Sequence, residues 1–412
     1  MLLWGIIISL IVFTFSASLI NLMVPGFSIA EKEQATLIFR VLLPYLSVQI
    51  ISSFFVTVLN AEEKFGRAEL LGITNTLISI ASLVLLFPYM NVWALVISLL
   101  LGKTIEFIFY VNQLYKIDFR FRFILATPQF NHSIFFKAMQ NTFLYVGATQ
   151  IYNIILTSSI SFLPVGTYAI FKFVQNLTNK IYGLFVQPFL IIFFTRYSLL
   201  LQEFKSVTTV FKTNMQSIIN MNTIIIIGSI LLGDYAINFL WSGEKFNDVF
   251  VKLAYVFLLC NLVGGLFSSV GSVYRKMAVA QSLGGKLYYF WTASQLLSAI
   301  FAYLLISNFE ILGLLFVVPV NLLLMALASF IVYKKTINPL KFALKTYRII
   351  FIIGLVTSAI VTKLAVSSDR IFENAYFKLT ILILVSGILI LNLVLKTYQL
   401  VIHESDSIEQ HS

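Results

Sequence analysis

The sequence predicts an all-α polytopic membrane protein of about twelve transmembrane helices, and three observations carry that expectation. Of 412 residues, 59% are hydrophobic and only 11% charged, with a mean hydropathy of +0.94, far from the balance of a soluble domain. The apolar residues fall into runs of about 20 or more, enough to cross a bilayer as helix. The basic residues gather in alternate connections between those runs, so they mark one side of a membrane.

The runs lie near 2–24, 37–60, 70–88, 92–114, 135–160, 167–195, 215–241, 249–273, 286–306, 309–333, 343–365 and 376–398. Each is continuously apolar instead of alternating, so the spanning elements are helices whose backbone groups pair internally, and not barrel strands. Taking the connections in turn, one side holds eighteen of the 28 lysines and arginines, among them Lys64, Arg67, Lys116, Arg120, Arg122, Arg275, Lys276, Lys334 and Lys335. That bias places both termini in the cytoplasm. It also accounts for the net charge of +11 as topology, with no call for a nucleic acid partner.

The connections divide the chain. Residues 1–114 form a first lobe of four helices, and the basic segment 115–134 is the expected linker to a second lobe of six helices, 135–333. Inside that linker, YKIDFRFRFILATPQFNHS (115–133) alternates aromatic residues with arginine, a pattern suited to the anionic inner headgroup layer, although a plain positive-inside loop explains it nearly as well. The basic segment YKKTINPLKFALKTYR (333–348) sets off a terminal helix pair, 343–398, and residues 403–412 form a polar, disordered tail.

Enzymatic chemistry finds no support. His132, His403 and His411 lie in a loop or the tail, and Asp118, Asp234, Asp248, Asp369 and Asp406 form no paired-carboxylate motif. Cys260 is the only cysteine, which rules out an intramolecular disulfide and a cysteine metal site. No glycine-rich phosphate loop, GxSxG or HExxH is present. The expectation is no catalytic residue, no metal and no cofactor.

Charges inside the apolar runs are more informative, because an ionisable group at the bilayer centre costs about 2.5–3.5 kcal/mol on insertion scales. In the run 167–195, Lys172, Gln175, Asn176, Asn179, Lys180 and Gln187 recur at helical spacing and form one polar stripe. Counted from Gly166 at 1.5 Å per residue, Lys172 lies ~9 Å deep and Lys180 ~21 Å deep. Lys172 is shallow enough to snorkel to the outer surface. Lys180 is not, and the stripe is best explained by a water-filled cavity whose cations suit an anionic cargo. A second pair, Lys103 and Glu106 in LGKTIEFIF, shares a helix face at i, i+3; a structural ion pair is the default, and exchange of partners during gating the alternative. Gln140, Asn141, Gln150 and Asn153 in the run 135–160 fit either interhelical hydrogen bonds or a cavity lining.

Several of these stretches resemble the lipid II flippase family. MVPGF (23–27) followed by RVLLPYLSVQIISSFFVTVLNAEEKF (40–65) resembles that family's third and fourth helices. SFLPVG (161–166), YGLF (182–185) and TRYS (195–198) resemble the start and end of its eighth helix, and the order of helices continues to the C-terminus. The resemblance implies a fold of the multidrug/oligosaccharidyl-lipid/polysaccharide (MOP) exporter superfamily, two lobes rocking in alternating access, and a lipid groove beside 343–398. It implies a bacterial inner-membrane flippase for a polyprenyl-pyrophosphate-linked saccharide, either lipid II or a related surface-polysaccharide precursor. Lys172 and Lys180 would bind the pyrophosphate, with Gln175, Asn176 and Asn179 contacting phosphate or sugar. The expected partners are that lipid-linked saccharide and anionic membrane lipids, with a coupling cation as an option and no nucleic acid.

The sequence departs from the family in two respects. Family members have fourteen helices, and this chain is expected to match the third through the fourteenth, through either an internal start or a genuine shortening. The family's Ala-Asp-Arg signature falls on Val174, Gln175 and Asn176, so both of its charges are missing here. Two other readings stay open on the same residues: a cation-coupled exporter of small amphiphiles, and a non-transporting scaffold for cell-envelope synthesis.

Overall fold

The computed structural model describes residues 9–62, 65–117, 119, 132–202, 208–241, 248–281 and 283–333. The expected terminal pair 343–398, the tail 403–412 and most of the basic linker 115–134 lie outside the described residues. Every described element is helical, and the chain divides into two compact units, Met1–Asn131 and His132–Ser412. Six described helices are long and apolar enough to cross a membrane, or up to seven if one bent pair counts as a single span.

The first unit holds α1 (Ser16–Met23), α2 (Ile29–Ala61), α3 (Phe65–Met90) and α4 (Val92–Tyr115). α2 begins with a reciprocal cap: the backbone N–H of Ser28 donates to Glu31 Oε2 at 2.8 Å and the Glu31 N–H donates back to Ser28 Oγ at 3.4 Å. α3 and α4 are joined by a single residue, Asn91, at φ 48° and ψ −122°. Phe55, Leu59, Tyr110 and Leu114 form the buried cluster where α2 meets α4. By contrast, Leu77, Ile80, Val84 and Leu85 of α3 are exposed, the reverse of a soluble helix and the arrangement expected where lipid tails replace water.

The second unit holds α5 (His132–Ile160), α6 (Thr167–Phe185), α7 (Gln187–Gln202), α8 (Thr208–Trp241), α9 (Asp248–Ala280) and α10 (Gly284–Tyr333). At 50 residues α10 would be far longer than a bilayer is thick, and it folds back on itself at Glu310, whose φ of 50° and ψ of −124° break the helix. The cross-contacts are those of an antiparallel hairpin: Trp291 Nε1 donates to Ser329 Oγ at 3.0 Å, and Ser294 Oγ donates to the Leu324 carbonyl at 3.3 Å. The apolar runs 286–306 and 309–333 are therefore its two arms. The second arm lies against α9 along a seam of small residues. A Cβ on Gly264 would come within 2.9 Å of Pro319 Cα, and one on Gly271 within 2.8 Å of Ala326 Cα.

Asn91 and Glu310 share nearly the same dihedrals, those of the first central position of a type II′ turn, which favours glycine. Each unit thus contains a helical hairpin closed by one strained, non-glycine residue. Glu310→Gly is expected to raise the thermal midpoint in detergent by relieving about 1–2 kcal/mol of left-handed strain. Asn91→Gly should gain less, because asparagine tolerates that region. A lower midpoint for Glu310→Gly would show that the carboxylate contributes more than its backbone costs.

Candidate functional site

α6 has two distinct faces. Ile170, Phe171, Val174 and Thr178 are buried on one side. Phe171 there meets Phe257 of α9 edge-on at 6.0 Å between ring centroids. The other side carries the polar stripe. Lys172 is half-buried: its Nζ donates to Gln175 Oε1 at 3.2 Å and lies 5.7 Å and 5.8 Å from the ring centroids of Tyr168 and Phe171. Asn176, Asn179 and Lys180 are exposed.

The run 167–195, expected as one helix, is two. α6 ends at Phe185 and α7 starts at Gln187, with a bend of 45° between them. Pro188 explains the break: it has no N–H for the Leu184 carbonyl, and its ring crowds that carbonyl. A broken helix inside a membrane is tolerated where it lines a cavity, and this one does. Beside the bend is a cavity of about 380 Å³, within the usual range for small-molecule pockets.

Five helices wall the cavity. α6 supplies Gln175, Thr178, Asn179 and Tyr182, and the bend supplies Val186 and Gln187. α5 adds Tyr152, α9 adds Asn261, Ser268, Ser269 and Ser272, and the second arm of α10 adds Asn321. No charged side chain among the described residues lines it. The rings are anchored. The Tyr182 hydroxyl donates to the Leu262 carbonyl at 2.9 Å, and the Tyr152 hydroxyl hydrogen-bonds the Asn321 side chain. Ser269 Oγ lies 2.8 Å from the Gly265 carbonyl and 3.3 Å from Asn222 Oδ1. Two polar atoms of the lining are buried without a hydrogen-bond partner, Asn261 Nδ2 and Asn321 Oδ1.

The structure thus divides the expected site. Gln175 and Asn179 reach the cavity, and Lys172 is tied to it only through Gln175. Asn176 and Lys180 lie on the exposed face of α6 outside the lining, and Gln140, Asn141, Gln150 and Asn153 do not line it. Lys103 and Glu106 belong to the first unit, where Nζ and Oε2 are 2.5 Å apart and both residues are buried. The α9 wall was unrecognised in the sequence. Its signal was the helical spacing of Asn261, Gly265, Ser268 and Ser272, a stripe that also reads as small-residue packing.

The sequence model for the lipid II flippase MurJ matches residues 1–397. No curated protein matches the chain. Among solved structures, the fold is similar to a lipid II flippase MurJ in an inward closed conformation, with a TM-score of 0.75 and 17% identity over 97% of this chain and 82% of that one. It is also similar to an inward-facing multidrug resistance MATE family transporter of the MOP superfamily, with a TM-score of 0.66 and 15% identity over 82% and 79% of the two chains. A MOP superfamily transporter from Pyrococcus furiosus gives a TM-score of 0.59 and 17% identity over 81% and 75%. With a family match along nearly its whole length and the all-helical fold of these transporters, the chain belongs to the lipid II flippase MurJ family of multi-pass membrane proteins.

Proposed function

We propose that the protein is a flippase that moves a polyprenyl-pyrophosphate-linked saccharide, lipid II or a related envelope precursor, from the cytoplasmic to the outer leaflet of the bacterial inner membrane. In this reading the lobes 1–114 and 135–333 move in alternating access, residues 343–398 accommodate the lipid tail, and both termini are cytoplasmic. The observation that carries it is the polar face of α6. A membrane helix bears two lysines, and the one ion pair among the described residues is Lys103–Glu106, so no described carboxylate neutralises either Lys172 or Lys180. Uncompensated cations are costly in a membrane protein and mark substrate pathways. A pyrophosphate supplies the missing counter-charge, and lysine serves it as a mobile point charge where a guanidinium would need fixed bidentate geometry.

The test is transport of a lipid-linked saccharide in proteoliposomes. Hydrogen bonds to charged groups contribute about 1.5–3 kcal/mol each, so Lys172→Ala with Lys180→Ala should slow flipping by about tenfold or more. Unchanged transport by the double variant, with normal expression, would remove the lysines from the mechanism.

A further inference from the structure

We infer that Arg275 and Lys276, near the C-terminal end of α9, hold the phosphate of an anionic phospholipid in the inner leaflet, at a site separate from the lysine face of α6. The choice of leaflet rests on the topology of the flippase reading; the site itself does not.

Both residues precede the end of α9 at Ala280 by little more than a turn, ~6–8 Å along the axis, a depth from which a long cationic side chain reaches the headgroups. Snorkelling alone would send each chain into water. Here each is laid against a ring instead. The Arg275 guanidinium lies 5.4 Å from the Trp291 ring centroid, and Tyr145 and Tyr288 are within electrostatic reach of it. Those three rings pack on one another, with centroids 5.2, 5.8 and 6.0 Å apart, so α5 and the first arm of α10 together wall the guanidinium. Lys276 turns towards α7, and its Nζ lies 4.8 Å from the Phe194 ring centroid. Both cations are half-buried.

A ring face attracts a cation without replacing the directed hydrogen bonds its N–H groups lose on leaving water. Among the described residues neither head group has a hydrogen-bond acceptor or an ion pair, so two adjacent charges that repel each other keep their donors unused. A phosphate relieves both costs. It takes a bidentate contact from the planar guanidinium held against Trp291 and a point-charge contact from Lys276. The flanking surface shows what the phosphate is attached to. Phe143 of α5 is 76% exposed and Tyr289 of α10 is 70% exposed, and they lie two residues from Tyr145 and one from Tyr288. Rings exposed at that level are the aromatic belt of a membrane interface. A soluble anion would leave them uncovered, whereas the acyl chains of a lipid lie against them.

The experiment titrates the full chain in detergent with phosphatidylglycerol or phosphatidylcholine and counts bound lipids by native mass spectrometry. With two basic residues at the headgroup, phosphatidylglycerol should fill one site at least about tenfold more tightly than phosphatidylcholine. Arg275→Gln with Lys276→Gln should abolish that preference, and Arg275→Lys, which keeps the charge without the fork, should lose part of it. Lys276→Gln alone should weaken phosphatidylglycerol binding about fivefold. Lys116→Gln, an equal change of net charge at an exposed lysine of the first unit, should leave it unchanged, and these two single variants decide the question if the double variant does not fold. A preference that survives Lys276→Gln, or that falls as far in Lys116→Gln, is general attraction to a basic surface and overturns the inference. Displacement of the lipid by inorganic pyrophosphate at equal concentration would make this a site for a soluble anion, and one-for-one displacement by polyprenyl pyrophosphate would make it part of the cargo path; either result overturns it. A Lys276→Cys thiol in a Cys260→Ser chain should react with an impermeant maleimide from the cytoplasmic side only, and labelling from outside would overturn the leaflet. Flipping of a lipid-linked saccharide is measured separately: its absence would sink the flippase reading and leave this site standing.

Discussion

Lys103→Met is expected to destabilise the protein by about 3–5 kcal/mol, because it leaves the Glu106 carboxylate buried without its partner. Both residues are almost fully enclosed, at 4% and 5% exposure, and their charged atoms are 2.5 Å apart. Glu106→Gln should cost a similar amount by stranding the ammonium. Replacing both at once, Lys103→Met with Glu106→Leu, removes the two desolvation penalties together and should restore the melting midpoint to within experimental spread of the parent, or above it. Denaturation in detergent followed by tryptophan fluorescence checks all three variants. The same double variant separates the two roles open to this pair. If the pair only neutralises two buried charges within α4, transport returns with stability. If it exchanges partners as the protein changes state, the double variant is stable and fails to transport. The i, i+3 geometry within one rigid helix favours the first outcome, since neither side chain needs a second element to satisfy it.

That pair was legible in the sequence because its two members are local, and the same holds for most of what could be read. The spans of α2, α4 and α8 follow from uninterrupted apolar runs, which the cost of unpaired backbone groups forces into helices. The polar stripe of α6 follows from a 3.6-residue period. The break after Phe185 is another matter. Pro44, Pro88 and Pro319 all lie inside helices, so a proline at 188 did not by itself announce a bend. At 188 the break coincides with a polar cavity, whose other walls come from Tyr152, Asn261 and Asn321, remote in sequence. Serines at 268 and 272 are equally good at packing helices together and at lining a pocket. Only the arrangement of α6, α9 and α10 shows which they do.

Gly265→Ala tests that arrangement at its tightest point. A Cβ built on Gly265 overlaps the outer atoms of the Tyr182 ring, so the glycine is the space in which that ring lies while its hydroxyl donates to the Leu262 carbonyl. An alanine there forces the ring off α9, and the ring's free side is the cavity it lines. The expected result is a filled cavity. Transport should fall by at least tenfold while the melting midpoint drops only modestly, since a side chain can swing where a backbone cannot. Gly271→Val makes the opposite case. A Cβ added there would come within 2.8 Å of Ala326 Cα, so α9 and the second arm of α10 must separate, and stability should fall by about 1–3 kcal/mol or more. The collision at Gly265 is relieved by shortening its partner: Gly265→Ala with Tyr182→Ala should reopen the cavity to N-ethylmaleimide at a Ser268→Cys thiol, which Gly265→Ala alone should shield. If the single variant labels as fast as its parent, Tyr182 does not move into the cavity. In that event a loss of transport would have to come from the contact between α6 and α9, and the cavity would no longer explain it.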